Sequence, residues 1–103
     1  MKYLKSTFEG ELAYRSTKRD YKVAMWAKIP WADGRITVSH LSFNSKPLTK
    51  GSALNWHYYK DREEYDYAGI EVFAMPVEEV TKEEFNNRDE LRKKAWEAKN
   101  EIN

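Results

Sequence analysis

The chain contains no cysteine, which removes disulfides, thiolate metal sites and cysteine nucleophiles together. No apolar run approaches the roughly 18 residues that a membrane-spanning helix needs. The opening residues, Met-Lys-Tyr-Leu-Lys-Ser-Thr, carry no apolar signal segment, so a cytoplasmic location is expected. Internal repeats, low-complexity stretches and evident linkers are lacking as well. The 103 residues are therefore expected to form one domain, 1–103, around one modest core. Catalytic signatures do not occur: there is no H-E-x-x-H, G-x-S-x-G, Walker loop or G-x-G-x-x-G. No His, Asp and Glu cluster has metal-ligand spacing, so neither a metal nor a cofactor is expected.

What the chain does have is aromatic and charged residues, 15% and 34% of the total. The net charge of +1 hides a segregation. Residues up to 60 carry an excess of seven positive charges, and the rest an excess of six negative ones. This arrangement either places opposite fields on different surfaces or makes the two halves attract each other across the fold.

Period-two alternation dominates the first three quarters and predicts an α+β fold with an antiparallel sheet of about five strands. The strands are read at 3–15, 21–31, 35–43, 54–60 and 65–75. In the first, Phe8, Gly10, Leu12 and Tyr14 share one side. Asp33-Gly34 is the strongest hairpin signal. Taken as a two-residue turn, it pairs Ile29 with Val38, Ala27 with His40, Trp26 with Leu41 and Ala24 with Phe43. One face then collects Val23, Met25, Ala27 and Ile29. The other collects Ala24, Trp26, Leu41 and Phe43, with Lys22 and Lys28 close by. Apolar residues on both faces predict a central hairpin. Pro76 is expected to end the last strand because it cannot donate to a ladder.

One C-terminal helix is read over about 82–101. Thr81-Lys82-Glu83-Glu84 fits a capping box, flanked by Val80 and Phe85 as a hydrophobic staple. Leu91, Ala95, Ala98 and Ile102 form one narrow apolar stripe, away from which lies Trp96. Glu84–Arg88, Asp89–Lys93 and Glu90–Lys94 are spaced for ion pairing. Asn87 is a second candidate cap that can split the segment.

Two histidines, His40 and His57, are the natural candidates for chemistry. Ser39 and His40 point to opposite faces of a strand and cannot act as a nucleophile and base. His40 is expected in the core. His57 is read as a half-exposed strand residue or a base-stacking contact. Glu9 and Glu11 share one strand face, where solvated carboxylates on an edge are the plain reading.

Aromatic and basic residues give the functional leads. Trp26 between Lys22 and Lys28, with Arg35 nearby, resembles a platform for single-stranded nucleic acid. The alternative is that Trp26 is core. Interfaces with proteins are enriched in Trp, Tyr, Phe, Met and Arg, which this chain supplies. The acidic turn from Asp61 to Asp66 carries Tyr65 and can dock on a basic partner or stay solvated. The main expectation is a non-catalytic inhibitor or adaptor that binds a protein through an aromatic-rich surface. A single-stranded nucleic-acid module is the alternative, and an enzyme is a third reading that no motif supports. Trp26, Trp56, Tyr58, Tyr59 and Tyr65 are the expected contacts, with Lys22, Lys28 and Arg35 serving nucleic acid. An under-covered sheet face would also favour a homodimer. Short, cysteine-free, rich in Trp and Tyr and highly charged, the chain resembles in general look the accessory proteins of bacteriophages and mobile elements. No specific motif carries that resemblance.

Overall fold

Two hairpins lay down the frame. Strands β1 (Lys2–Phe8) and β2 (Glu11–Thr17) pair antiparallel across a two-residue turn. Glu9 and Gly10 both have positive φ, 49° and 85°, as a type I′ turn requires. The single strand expected over 3–15 is thus two strands. The structure, a computed structural model, describes residues 1–47 and 70–101. The strand expected at 54–60 and the first part of the one at 65–75 lie outside the described residues.

Strands β3 (Val23–Pro30) and β4 (Ile36–Asn44) form the second hairpin. Its loop has three residues, not two. The Trp31 N–H donates to the Arg35 carbonyl at 2.8 Å, and the Gly34 N–H donates to the Trp31 carbonyl at 3.0 Å. Gly34, at φ 89°, makes the left-handed step that such a loop needs. The register near the turn therefore differs from the expected one. Ile29 pairs with Thr37, Ala27 with Ser39, and Trp26 with His40. A bulge between Met25 and Trp26 takes up the slip. Beyond it Met25 pairs with Ser42 and Ala24 with Phe43, in the expected frame.

Strand β5 (Glu71–Pro76) pairs with the free side of β3, and β6 (Glu78–Val80) pairs with the free side of β1. The result is two three-stranded sheets, ordered β2-β1-β6 and β4-β3-β5, not one five-stranded sheet. Val77 alone separates β5 from β6, and its N–H donates to the Lys22 carbonyl at 3.3 Å. A strand that changes sheets at a bend forms a corner between them. Pro76 ends β5 as expected, and the ladder resumes in the other sheet.

The sheets meet face to face. Leu4, Phe8 and Ala13 of the first pack with Ala24, Trp26 and Phe43 of the second. The Phe8 ring lies 6.1 Å from Trp26 and 4.9 Å from Phe73. On the opposite face of β3, Ala27 and Ile29 are buried with Ile70, beside Leu41 and Val72. Burial on both faces makes β3 the central strand of its sheet, as its sequence predicted.

Helices α1 (Lys82–Asn86) and α2 (Arg88–Glu101) form the C-terminal helical segment, interrupted at Asn87 (φ −97°, ψ 14°). The Thr81 hydroxyl caps α1 by accepting the Glu84 N–H at 3.0 Å. The helices cover the outer face of the first sheet. Phe85 sits 5.0 Å from Tyr3 and 6.4 Å from Tyr14. Among the described residues no helix is long and apolar enough to cross a membrane.

Candidate functional site

Trp26 faces inward between the sheets and is only 2% exposed. Its Nε1–H donates to the Ser6 hydroxyl at 2.9 Å. The covering sheet withdraws it from the contact set, because no partner can reach the ring. The three basic residues expected beside it are on the surface, each next to a carboxylate. Lys22 lies 2.8 Å from Asp20, Lys28 2.8 Å from Glu9, and Arg35 2.7 Å from Asp33. Trp56, Tyr58, Tyr59, Tyr65, His57 and the acidic turn from Asp61 lie outside the described residues. The sheet-borne platform of Trp26 with Lys22 and Lys28 is therefore not assembled. Glu9 and Glu11 do not form a carboxylate pair either: Glu9 sits in the turn against Lys28, and Glu11 binds Lys99 at 3.3 Å.

His40 is half-buried at the side of the core, 5.1 Å from the Trp26 ring and 4.7 Å from Phe43. Its Nε2 is buried and finds no hydrogen-bond partner among the described residues. Burial pushes its pKa below the ordinary value, and the positive charges of Arg15 and Arg92 act the same way against a backbone contact at Ser42. Its surroundings therefore favour the neutral imidazole. The expected register puts it in the core on the Ala27 face; it is instead half-buried and on the Trp26 face.

The tip of the β3–β4 hairpin projects. The Lys28–Glu9 ion pair marks where the first sheet turns back. Pro30 and Ile36 form the next inward-facing cross-strand pair, and both are exposed. Ile36 is 61% exposed although its face is the core face further along β4. Beside it the Arg35 guanidinium stacks 5.6 Å from the Trp31 ring and is held by Asp33. The Arg35 N–H donates to Asp33 at 3.0 Å, and the Trp31 Nε1–H donates to Thr37 at 2.7 Å. These bonds fix the tip residues in one arrangement.

A second feature is an open groove of about 980 Å³ between the β1–β2 hairpin and the helices. Leu12, Tyr14 and Leu91 supply its apolar wall. At its base Lys5 meets Glu84 at 3.0 Å and Glu78 at 3.7 Å, and the Tyr14 hydroxyl donates to Glu84 at 3.1 Å. The Glu84 hydrogen bond, opposed in part by burial, raises the Lys5 pKa. Burial and then Glu84 raise that of Tyr14. Glu84 is thus engaged with Lys5 and Tyr14, not with Arg88; Arg88 instead donates to the Phe85 carbonyl at 3.0 Å. The cluster ties the helices to the sheet, which is a structural task.

The third feature is Trp96 on α2, 60% exposed. With Gly10, Glu11, Leu12, Asp89, Arg92 and Lys93 it lines a shallow groove of about 310 Å³. Sequence reading singled out neither Ile36 nor Trp96 as a contact. The position of Trp96 off the Leu91–Ala95 stripe was the available signal. Among the described residues no group of His, Asp and Glu can hold a metal ion. No protein-family model, no curated protein and no solved structure matches this chain, so function must be read from the side chains themselves.

Proposed function

We propose that this chain is a non-catalytic protein-binding module, an inhibitor or adaptor, that docks through the projecting tip of the β3–β4 hairpin. The observation that carries the reading is Ile36, a large side chain on the inward face of its strand that stands in solvent. Trp31 and Arg35, on the other face of the same tip, are residue types enriched in the energetic centres of interfaces; Arg35 is exposed, while Trp31 is half-buried and also packs on the Ala27–Ile29–Ile70 cluster. Their bonds to Thr37 and Asp33 order the tip before any partner arrives, which lowers the entropic cost of docking. The partner is read as a different protein and not a second copy, because both faces of β3 are already covered within one chain.

The test is affinity capture from nuclease-treated native lysate with the wild type, Ile36→Asp and Arg35→Glu. A protein retained by the wild type and lost from both variants supports the reading. Identical captured proteins for all three baits would overturn it.

A further inference from the structure

Trp26 is buried and Lys22, Lys28 and Arg35 stand beside carboxylates, so among the described residues the expected sheet position offers no stacking platform for a nucleobase. Helix α2 does. Trp96 is 60% exposed, and its neighbours at helical spacing are Arg92, Lys93, Lys99 and Asn100. Arg92 and Lys93 precede it by four and three positions and so stand on opposite flanks of the ring. Among the described residues neither has an ion-pair partner. The two carboxylates of the groove are Glu11 and Asp89. Lys99 neutralises Glu11 at 3.3 Å and stands against Gly10 at the groove's end. Asp89, seven positions before Trp96, shares its face as the one carboxylate of the groove without a basic partner among the described residues, whereas Glu90, Glu97 and Glu101 fall on another side of the helix.

We infer that the Trp96 face of α2 binds single-stranded nucleic acid, with one base stacked on the indole and its two flanking phosphates against Arg92 and Lys93. A flat aromatic surface bracketed by cations suits a base between phosphates, since every base has a π-face and stacking is tolerant of sequence. An acidic peptide can satisfy the cations but leaves the exposed ring without a planar partner. This site is independent of the hairpin tip, and either can fail while the other stands.

The experiment is fluorescence anisotropy of labelled dT and rU oligonucleotides with the full chain at low salt. Binding is expected to weaken about sevenfold between about 50 and 200 mM salt, as release of counterions from two phosphates predicts. Trp96→Ala should weaken it about tenfold, and Trp96→Tyr should restore most of the loss. Arg92→Glu with Lys93→Glu should abolish it, while Lys46→Glu, an exposed lysine on the loop after β4, should leave most of it. Circular dichroism melts confirm that each variant is folded. The inference is overturned by no binding to either oligonucleotide, or by binding that Trp96→Ala does not change. Competition by polyglutamate as effective as by unlabelled oligonucleotide would also overturn it, in favour of an acidic peptide.

Discussion

The indole N–H of Trp26 and the hydroxyl of Ser6 meet at 2.9 Å in the space between the two sheets. Both side chains are buried, and the bond joins β1 to β3, strands far apart in sequence. Ser6→Ala leaves the indole donor without a partner in an apolar space. The expected loss is about 1–3 kcal/mol, measured by urea denaturation. Trp26→Phe in the Ser6→Ala background should cost less than the same change in the wild type, because the stranded donor leaves with the ring.

Two glycines hold positive φ, but their surroundings differ. A Cβ at Gly34 meets nothing within 4 Å, whereas at Gly10 it lies 3.3 Å from Lys99 Cδ. Gly34→Ala should therefore show backbone strain alone, about 1–2 kcal/mol. Gly10→Ala should cost more, because it also pushes Lys99 away from Glu11. Chemical denaturation of both variants gives the order; equal losses would mean that α2 gains nothing from its seat on the turn.

The alternation of the first half was legible, but its faces were not. A two-residue turn puts Phe8 and Glu11 on the same side, so buried positions change from even in β1 to odd in β2. Reading Phe8, Leu12 and Tyr14 as one face followed from missing that turn, since glutamate is an uncommon residue at positive φ. Leu12 and Tyr14 are apolar for another reason: the helices cover them. Asp33-Gly34 marked the hairpin but not its loop length, and the bulge at Leu41 has no period of its own. Glu78–Val80 is too short and too charged to read as a strand, so the change of sheet was invisible. Thr81 was legible as a cap because its hydroxyl meets a backbone N–H three residues on. The partners of the Glu84 carboxylate come from β1 and β2, and no local spacing reports them.

The Lys5–Glu84–Tyr14 cluster predicts a fall in stability at alkaline pH. Both Lys5 and Tyr14 have folded pKa values above their ordinary 10.5 and 10.0. Above pH 10.0 the unfolded chain sheds protons that the folded chain retains, so folding weakens as pH rises through that range. Glu84→Gln should lower stability at neutral pH by about 1–2 kcal/mol, through the weakened bond to Lys5. It should also flatten the alkaline decline, read from melting temperatures across the pH series.

His40 predicts the opposite edge. Its folded pKa lies below the ordinary 6.5, so as pH falls through 6.5 the unfolded chain takes up a proton that the folded chain resists. Stability should decline on that side, because a protonated imidazole would sit against Trp26 and Phe43 within the fields of Arg15 and Arg92. Asp20 and Asp33, whose pKa values are lowered by Lys22 and by the Arg35 backbone N–H, act only below their ordinary 3.8 and leave this window clear. His40→Leu should remove the decline between pH 7 and pH 5; a slope unchanged by the substitution would assign it to other groups.

Ile36 separates folding from contact. Ile29, one cross-strand neighbour away on the opposite face, is buried with Ala27 and Ile70, and Ile29→Ala should cost about 2–5 kcal/mol. Ile36 lies past the point where Glu9 turns the first sheet back, so its removal takes little apolar area out of any core. Ile36→Thr should leave stability within about 0.5 kcal/mol of the wild type. A loss of 2 kcal/mol or more on this substitution, seen in the same denaturation assay, would show that the tip is packed against its own chain and would take the docking surface with it.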